Sequence, residues 1–139
     1  MNKRRLLKLA DLLEADAKNK KGIKFDLFSW GTTDDGEVQH NCGTTACAVG
    51  LAVVSGAFKR SGLTNYYGEK STQICPQYQG ATDWDATRKF FGISGPAAEF
   101  LFSDHMYPSA LSKGAKGERF VAKRVRDFVS GKAKPPFVA

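Results

Sequence analysis

Two of the three cysteines and one of the two histidines of this chain fall in one short stretch, His40-Asn41-Cys42-Gly43-Thr44-Thr45-Ala46-Cys47-Ala48-Val49-Gly50. A thiol at a helix N-terminus faces unpaired backbone N–H groups and the positive end of the helix dipole, and both favour the thiolate. Cys42, at the turn leading into an uncharged apolar run, is therefore the candidate nucleophile. A nucleophilic thiol also needs a base and a group to orient it. The candidate bases are His105, in the loop-like segment Ser103-Asp104-His105-Met106-Tyr107-Pro108, and His40, two residues before the thiol. Neither completes a catalytic set by position alone. Cys42, Cys47, Cys75 and one histidine add up to four zinc donors, but Cys-x4-Cys is wider than the tight Cys-x2-Cys knuckle, so no metal site is assigned. The competing structural reading makes Cys47 a small core residue, Cys42 part of the approach turn and Cys75 incidental.

The elements that must position these residues are mostly helical. Leu6, Leu9, Ala10 and Leu13 recur at helical spacing, which predicts an amphipathic helix over roughly 3–16 with Arg4, Arg5, Lys8 and Asp11 on its other face. Lys18 to Gly22 reads as a loop. Phe25, Leu27, Phe28 and Trp30 form a short strand or an aromatic arm laid over the core, and Gly31 to Asn41 is a polar turn region. The central element is expected as a helix over about 44–59, with Thr44 as its N-cap and small residues on two faces. Glycine within a helix costs about 1 kcal/mol relative to alanine, so Gly50 requires a packing reason, and a tight helix crossing is the expected one.

Residues 61–81 read as irregular or short β structure. Thr82-Asp83-Trp84-Asp85 has capping-box spacing and Gly92 is placed as a C-terminal cap, bounding a helix of about two turns. Ser94-Gly95-Pro96 opens another short helix carrying Ala97, Ala98, Phe100, Leu101 and Phe102. Phe120, Val121, Val125, Phe128 and Val129 mark a last helix that stops near Gly131, with Arg119, Lys123 and Arg126 opposite. The pair of short helices joined at Gly92 to Ser94 is not a DNA-reading helix-turn-helix, because its second helix offers Ala, Phe, Leu and Glu99 where base readers need Arg, Asn, Gln or Lys. The fold class is thus mainly α: one small domain over 1–139 around the central helix, with irregular or β segments near 23–30 and 63–80.

The 139 residues are 42% hydrophobic and can bury a core. The net charge of +7 is uneven. Residues 1–24 hold eight basic against three acidic residues, a net of +5, and residues 113–134 hold eight against two, a net of +6. Residues 25–112 hold five against nine, a net of −4. Basic ends of this kind suit an acidic partner or a sequence-blind phosphate contact with nucleic acid, through Arg4, Arg5, Lys8, Arg119, Lys123, Arg124 and Arg126. The alternative is two solvated helix faces. The uncharged run from Ala46 to Phe58 is shorter than the roughly 20 residues that span a bilayer, and Lys8, Asp11 and Glu14 interrupt any signal-peptide core. With an odd number of cysteines, reduced thiols in a cytoplasm are expected.

Asn41-Cys42-Gly43-Thr44-Thr45-Ala46-Cys47-Ala48 resembles the nucleophile segment of papain-like peptidases, the bacteriocin-leader group in particular, over about a dozen residues. That resemblance implies a thiol hydrolase with Cys42 as nucleophile and a later histidine as base, and the order of His40 departs from it. Over most of the chain a wider pattern is present: the opening Leu/Lys helix, the Phe-Asp segment, His-x-Cys-Gly-Thr-x-Ala-Cys-Ala-x-Gly, Phe90-Phe91-Gly92-Ile93-Ser94, Glu99-Phe100-Leu101-Phe102 and the basic final helix. It resembles a group of small uncharacterised proteins of phages and bacterial genomes. The resemblance implies a shared small fold and a phage setting, and carries no activity across. The expectation is an accessory protein that binds, and inhibits or modulates, a host or phage protein or nucleoprotein complex without catalysis and without a cofactor.

Overall fold

The computed structural model describes residues 1–33 and 36–136. Part of the turn region expected over Gly31 to Asn41 therefore lies outside the described residues. Helix α1 (Lys3–Lys18) opens on Asn2, whose side chain accepts the N–H of Arg5 at 3.0 Å. Its buried stripe is Leu6, Leu9, Ala10, Leu13 and, in the same phase, Asp16. The stripe lies along α5 (Gly114–Val129), which buries Glu118, Val121, Ala122 and Val125, so the two basic ends of the chain form one helix pair.

The described residues hold five α-helices and are mostly helical, but two small three-stranded sheets make this a mixed α/β domain rather than a purely helical one. In the first, β3 (Thr44–Ala46) lies between β1 (Lys24–Phe25) and β2 (Gly31–Thr33), parallel to β1 with Phe25 opposite Ala46 and antiparallel to β2 with Gly31 opposite Ala46. In the second, β5 (Pro76–Tyr78) lies between β4 (Thr64–Asn65) and β6 (Ala81–Thr82), all antiparallel.

The helix expected over 44–59 is corrected by this arrangement. Thr44 to Ala46 are strand, because β1 and β2 supply backbone partners on both sides, and α2 spans only Ala48–Val54. Thr44 does not cap it: its hydroxyl accepts the N–H of Gln39 at 3.0 Å and pins the preceding loop. The N-cap is Cys47, in extended conformation, with Sγ accepting the N–H of Gly50 at 3.3 Å. Ser55 ends the helix, and Lys59–Ser61 is a 3-10 turn. The run from Ala46 is uncharged because strand and helix are both buried, a burial that composition reports and periodicity does not separate.

Gly50 has its packing reason, though not a helix crossing. A Cβ there would stand 1.8 Å from the carbonyl oxygen of Trp30, so the backbone that leads into β2 runs directly over α2. The remaining helices follow their sequence signals. Helix α3 (Asp83–Phe91) ends on Gly92 at φ 63°, and α4 (Gly95–Phe102) starts from Ser94, whose hydroxyl accepts the N–H of Ala97 at 3.2 Å. Thr82 stands at the N-cap of α3 without a side-chain cap bond. Phe58, Phe90, Phe91 and Phe102 fill the space between these helices and α1 as fully buried rings packed edge to face or tilted.

Candidate functional site

Cys42 sits exposed on the loop before β3, where the Asn41 side chain accepts the N–H of Gly43 at 2.9 Å. No hydrogen bond joins Cys42 to either histidine among the described residues. His40 places Nε2 at 2.8 Å from Asp16 Oδ1 at the end of α1. His105 lies on the 3-10 turn Asp104–Met106 with its side chain 90% exposed and 3.8 Å from the Asp104 carboxylate. Each histidine side chain is thus engaged with a carboxylate, and neither is hydrogen bonded to Cys42 among the described residues.

The cysteine at the helix entrance is instead Cys47. Burial pushes its thiol up to about 11, outweighing the N–H groups of Gly50 and Val49 that pull it down. At this helix N-terminus the loss of water around the buried sulfur outweighs the backbone N–H groups. Cys75 is also buried and donates to Asp83 Oδ1 at 3.3 Å; burial first, and then that bond, raise its pKa. Among the described residues no group of three or more His, Cys, Asp or Glu side chains is arranged to hold a metal ion.

The basic residues expected to form a partner surface are largely committed to the fold. Arg5 donates to Phe90 O at 2.8 Å and lies 4.3 Å from the Phe90 ring centroid. Lys8 donates to Ala57 O at 2.8 Å. Arg124 donates to Met106 O at 2.8 Å and Phe100 O at 3.0 Å, and covers Tyr107 at 3.9 Å. Lys123 pairs with Asp127 at 2.7 Å, and Arg126 bridges α5 to Asp11 and Glu14 of α1. Arg4 and Arg119 are exposed and make no hydrogen bond or ion pair among the described residues.

Two features escaped the sequence reading. The first is a buried acid pair. Glu118 is 1% exposed and its carboxyl group lies against that of Asp16; one oxygen of each, Glu118 Oε2 and Asp16 Oδ2, is buried with no other partner among the described residues, while Asp16 Oδ1 accepts the N–H of Ile23 at 3.2 Å. Burial, then the neighbouring Asp16 carboxyl, push Glu118 up to about 10, which favours a proton held between the two acids at neutral pH. The signal was available: Asp16 is in phase with Leu6, Leu9 and Leu13, and Glu118 with Val121 and Val125.

The second is a cleft of about 440 Å³ between the aromatic arm and α3 and α4, with Cys47 and Phe102 among its walls. The rings of Trp30 and Trp84 stand with centroids 5.0 Å apart at 60°. Trp30 Nε1–H donates to Asp83 Oδ1 at 3.0 Å, which fixes the indole. Phe28 borders the cleft at 81% exposure, and Glu99, Asp104 and His105 bring polar groups to it. The loop that carries Phe28 is pinned: Leu27 is buried and donates to Ser112 O at 2.8 Å, and Asp26 Oδ1 accepts the N–H of Phe28 at 2.9 Å. Phe28 is therefore held in water by the fold. No span of any helix among the described residues is long and apolar enough to cross a membrane. Comparison of the chain with models of known protein families, with curated proteins and with solved structures finds no match.

Proposed function

We propose that this protein acts by binding a partner protein rather than by catalysis, and that the face formed by Phe28, Trp30 and Trp84 makes the contact. The observation that carries the reading is Phe28: a large apolar ring, 81% exposed on a backbone held by the N–H bonds of Leu27 and Phe28, beside two further aromatics over an open cleft. Exposed aromatic clusters next to a cavity are the usual anchors of protein interfaces. The phage-type accessory role and the cytoplasmic setting that the sequence pattern implies fit this reading, with a host or phage protein as the partner. Inhibition or modulation of that partner, alone or within a nucleoprotein complex, is the form the role takes. The thiol hydrolase reading has no base beside Cys42 to support it, and the phosphate-contact reading retains Arg4 and Arg119 as its uncommitted cations.

Site-specific photocrosslinking tests the proposal. Benzoylphenylalanine at position 28 is expected to give a discrete adduct with a protein in lysate of the native host, and the same group at Tyr66, an exposed ring elsewhere, is not. Equal crosslinking from both positions, or from neither, rejects the aromatic face as the contact.

A further inference from the structure

The chain sets a cation over aromatic rings three times within its own fold, once with Lys8, 5.1 Å from the Phe58 ring centroid, and twice with arginine. Arg5 lies over the Phe90 ring at 4.3 Å, and Arg124 lies over Tyr107 at 3.9 Å and Phe100 at 4.5 Å. Each guanidinium also donates to backbone carbonyls beside the ring. The Trp30 and Trp84 pair is a further aromatic cluster, built of the ring type that attracts cations most strongly. Among the described residues no lysine or arginine covers either indole, and Arg88, one turn beyond Trp84, is tied to Asp85.

What surrounds the two indoles is acidic. Glu99 makes no ion pair among the described residues, and Asp104 faces only His105, at 3.8 Å. Asp83 holds Trp30 from below. In a chain of net charge +7, carboxylates gathered beside open indole faces complement a cation that the chain itself does not supply.

We propose that this cleft binds an arginine side chain presented by a partner polypeptide, with the guanidinium against the indoles of Trp30 and Trp84 and its N–H groups directed to Glu99 or Asp104. Arginine fits better than lysine because a planar guanidinium can stack on a ring and donate along its edge at once, as Arg5 and Arg124 do here. The inference rests on the reading that the protein works by binding a partner, and names the group it grips.

Both tryptophans of the chain lie in this cleft, so their indole N–H resonances and fluorescence report on it directly. N-acetyl-arginine amide is expected to shift both indole signals saturably. N-acetyl-citrulline amide, its neutral isostere, should bind at least about tenfold more weakly, the gain expected of a partly desolvated cation on an aromatic face. The double variant Glu99→Gln/Asp104→Asn should reduce that preference, leaving the part due to the indoles, while keeping a native circular dichroism spectrum. Free arginine, which brings a carboxylate to an acidic rim, should bind less tightly than the capped amide. Citrulline, lysine amide or free arginine binding as well as arginine amide overturns the assignment, as does an absence of indole shifts. If position 28 crosslinks a partner and arginine amide leaves the indoles unmoved, this inference fails alone. If arginine amide binds and no crosslink forms, the binding reading fails and the guanidinium site stands.

Discussion

The buried carboxyl group of Glu118 lies against that of Asp16 across the interface of α1 and α5, with His40 Nε2 on the other Asp16 oxygen at 2.8 Å. Glu118 is pushed up to about 10 in the folded chain from an ordinary value of 4.5. Between those values the folded state holds a proton that the unfolded state has lost, so stability is fully present below the ordinary carboxylate range and declines as pH rises toward the folded value. The slope from a single site is at most about 1.4 kcal/mol per pH unit. Arg119 works against the shift and is its smallest cause. Glu118→Gln keeps a donor for Asp16 and carries no titratable proton. Urea unfolding at pH 5, 7 and 9 is expected to show the variant gaining on wild type as pH rises, and parallel stability curves would remove the shared proton from the account.

Gly50 and Gly43 both belong to the cysteine-rich block, and the structure predicts opposite responses to alanine. At Gly50 the new Cβ meets the Trp30 carbonyl at 1.8 Å, with the Ala46 side chain at 3.1 Å behind it. Backbone on one side and core on the other leave no cheap movement, so Gly50→Ala should cost about 3 kcal/mol or more. At Gly43 the nearest atom is the end of the Asn41 side chain at 3.2 Å, which can turn aside. Gly43→Ala is expected to stay within about 1 kcal/mol of wild type. Thermal melts of the two variants side by side decide the matter.

How far the sequence was legible follows from what each signal encodes. Helices α1, α3 and α4 were readable within two or three residues because their stripes and caps are local: Leu6 to Leu13 in α1, Gly92 closing α3, Ser94 opening α4; for α5 only the end near Gly131 was, since its first turns from Gly114 carry no apolar stripe. The central element was not, because Thr44 to Ala46 become strand through partners twenty residues away on one side and a dozen on the other. Cys42 and His40 drew attention by proximity in the chain, yet His40 is oriented by Asp16 of another element. The cleft brings Trp30 to Trp84, and no short-range pattern couples positions that far apart. The aromatic arm itself was visible; what it leans on was tertiary.

The three thiols are free and differ in access, which labelling can count. Iodoacetamide on the native protein near pH 8 is expected to modify Cys42 alone, with Cys47 and Cys75 reacting after unfolding in urea. Cys47 is doubly protected, by burial and by a pKa pushed up to about 11. Peptide mass spectrometry reads the sites. Rapid modification of Cys42 already near pH 6 would restore an activated thiol to consideration, and modification of Cys47 in the native state would contradict its placement beneath the Trp30 carbonyl.

The basic residues divide by what they touch, and alanine variants should divide with them. Arg126 reaches Asp11 and Glu14 on a largely exposed surface, where such pairs contribute about 0–1 kcal/mol, so Arg126→Ala should change stability little. Arg124 donates to two carbonyls and stacks on the buried ring of Tyr107, so Arg124→Ala should cost roughly 2 kcal/mol, leaving the carbonyls of Phe100 and Met106 without their donor. Arg124→Lys should recover only part of this, since an ammonium cannot stack and donate to both carbonyls as a planar group does. Arg4 and Arg119, exposed and without such ties, should leave the melt unchanged when replaced by alanine. If nucleic acid is bound at all, the Arg4→Ala/Arg119→Ala pair should weaken it and flatten its salt dependence without touching stability. Stability losses of equal size across these positions would refute the division between fold-bound and free cations.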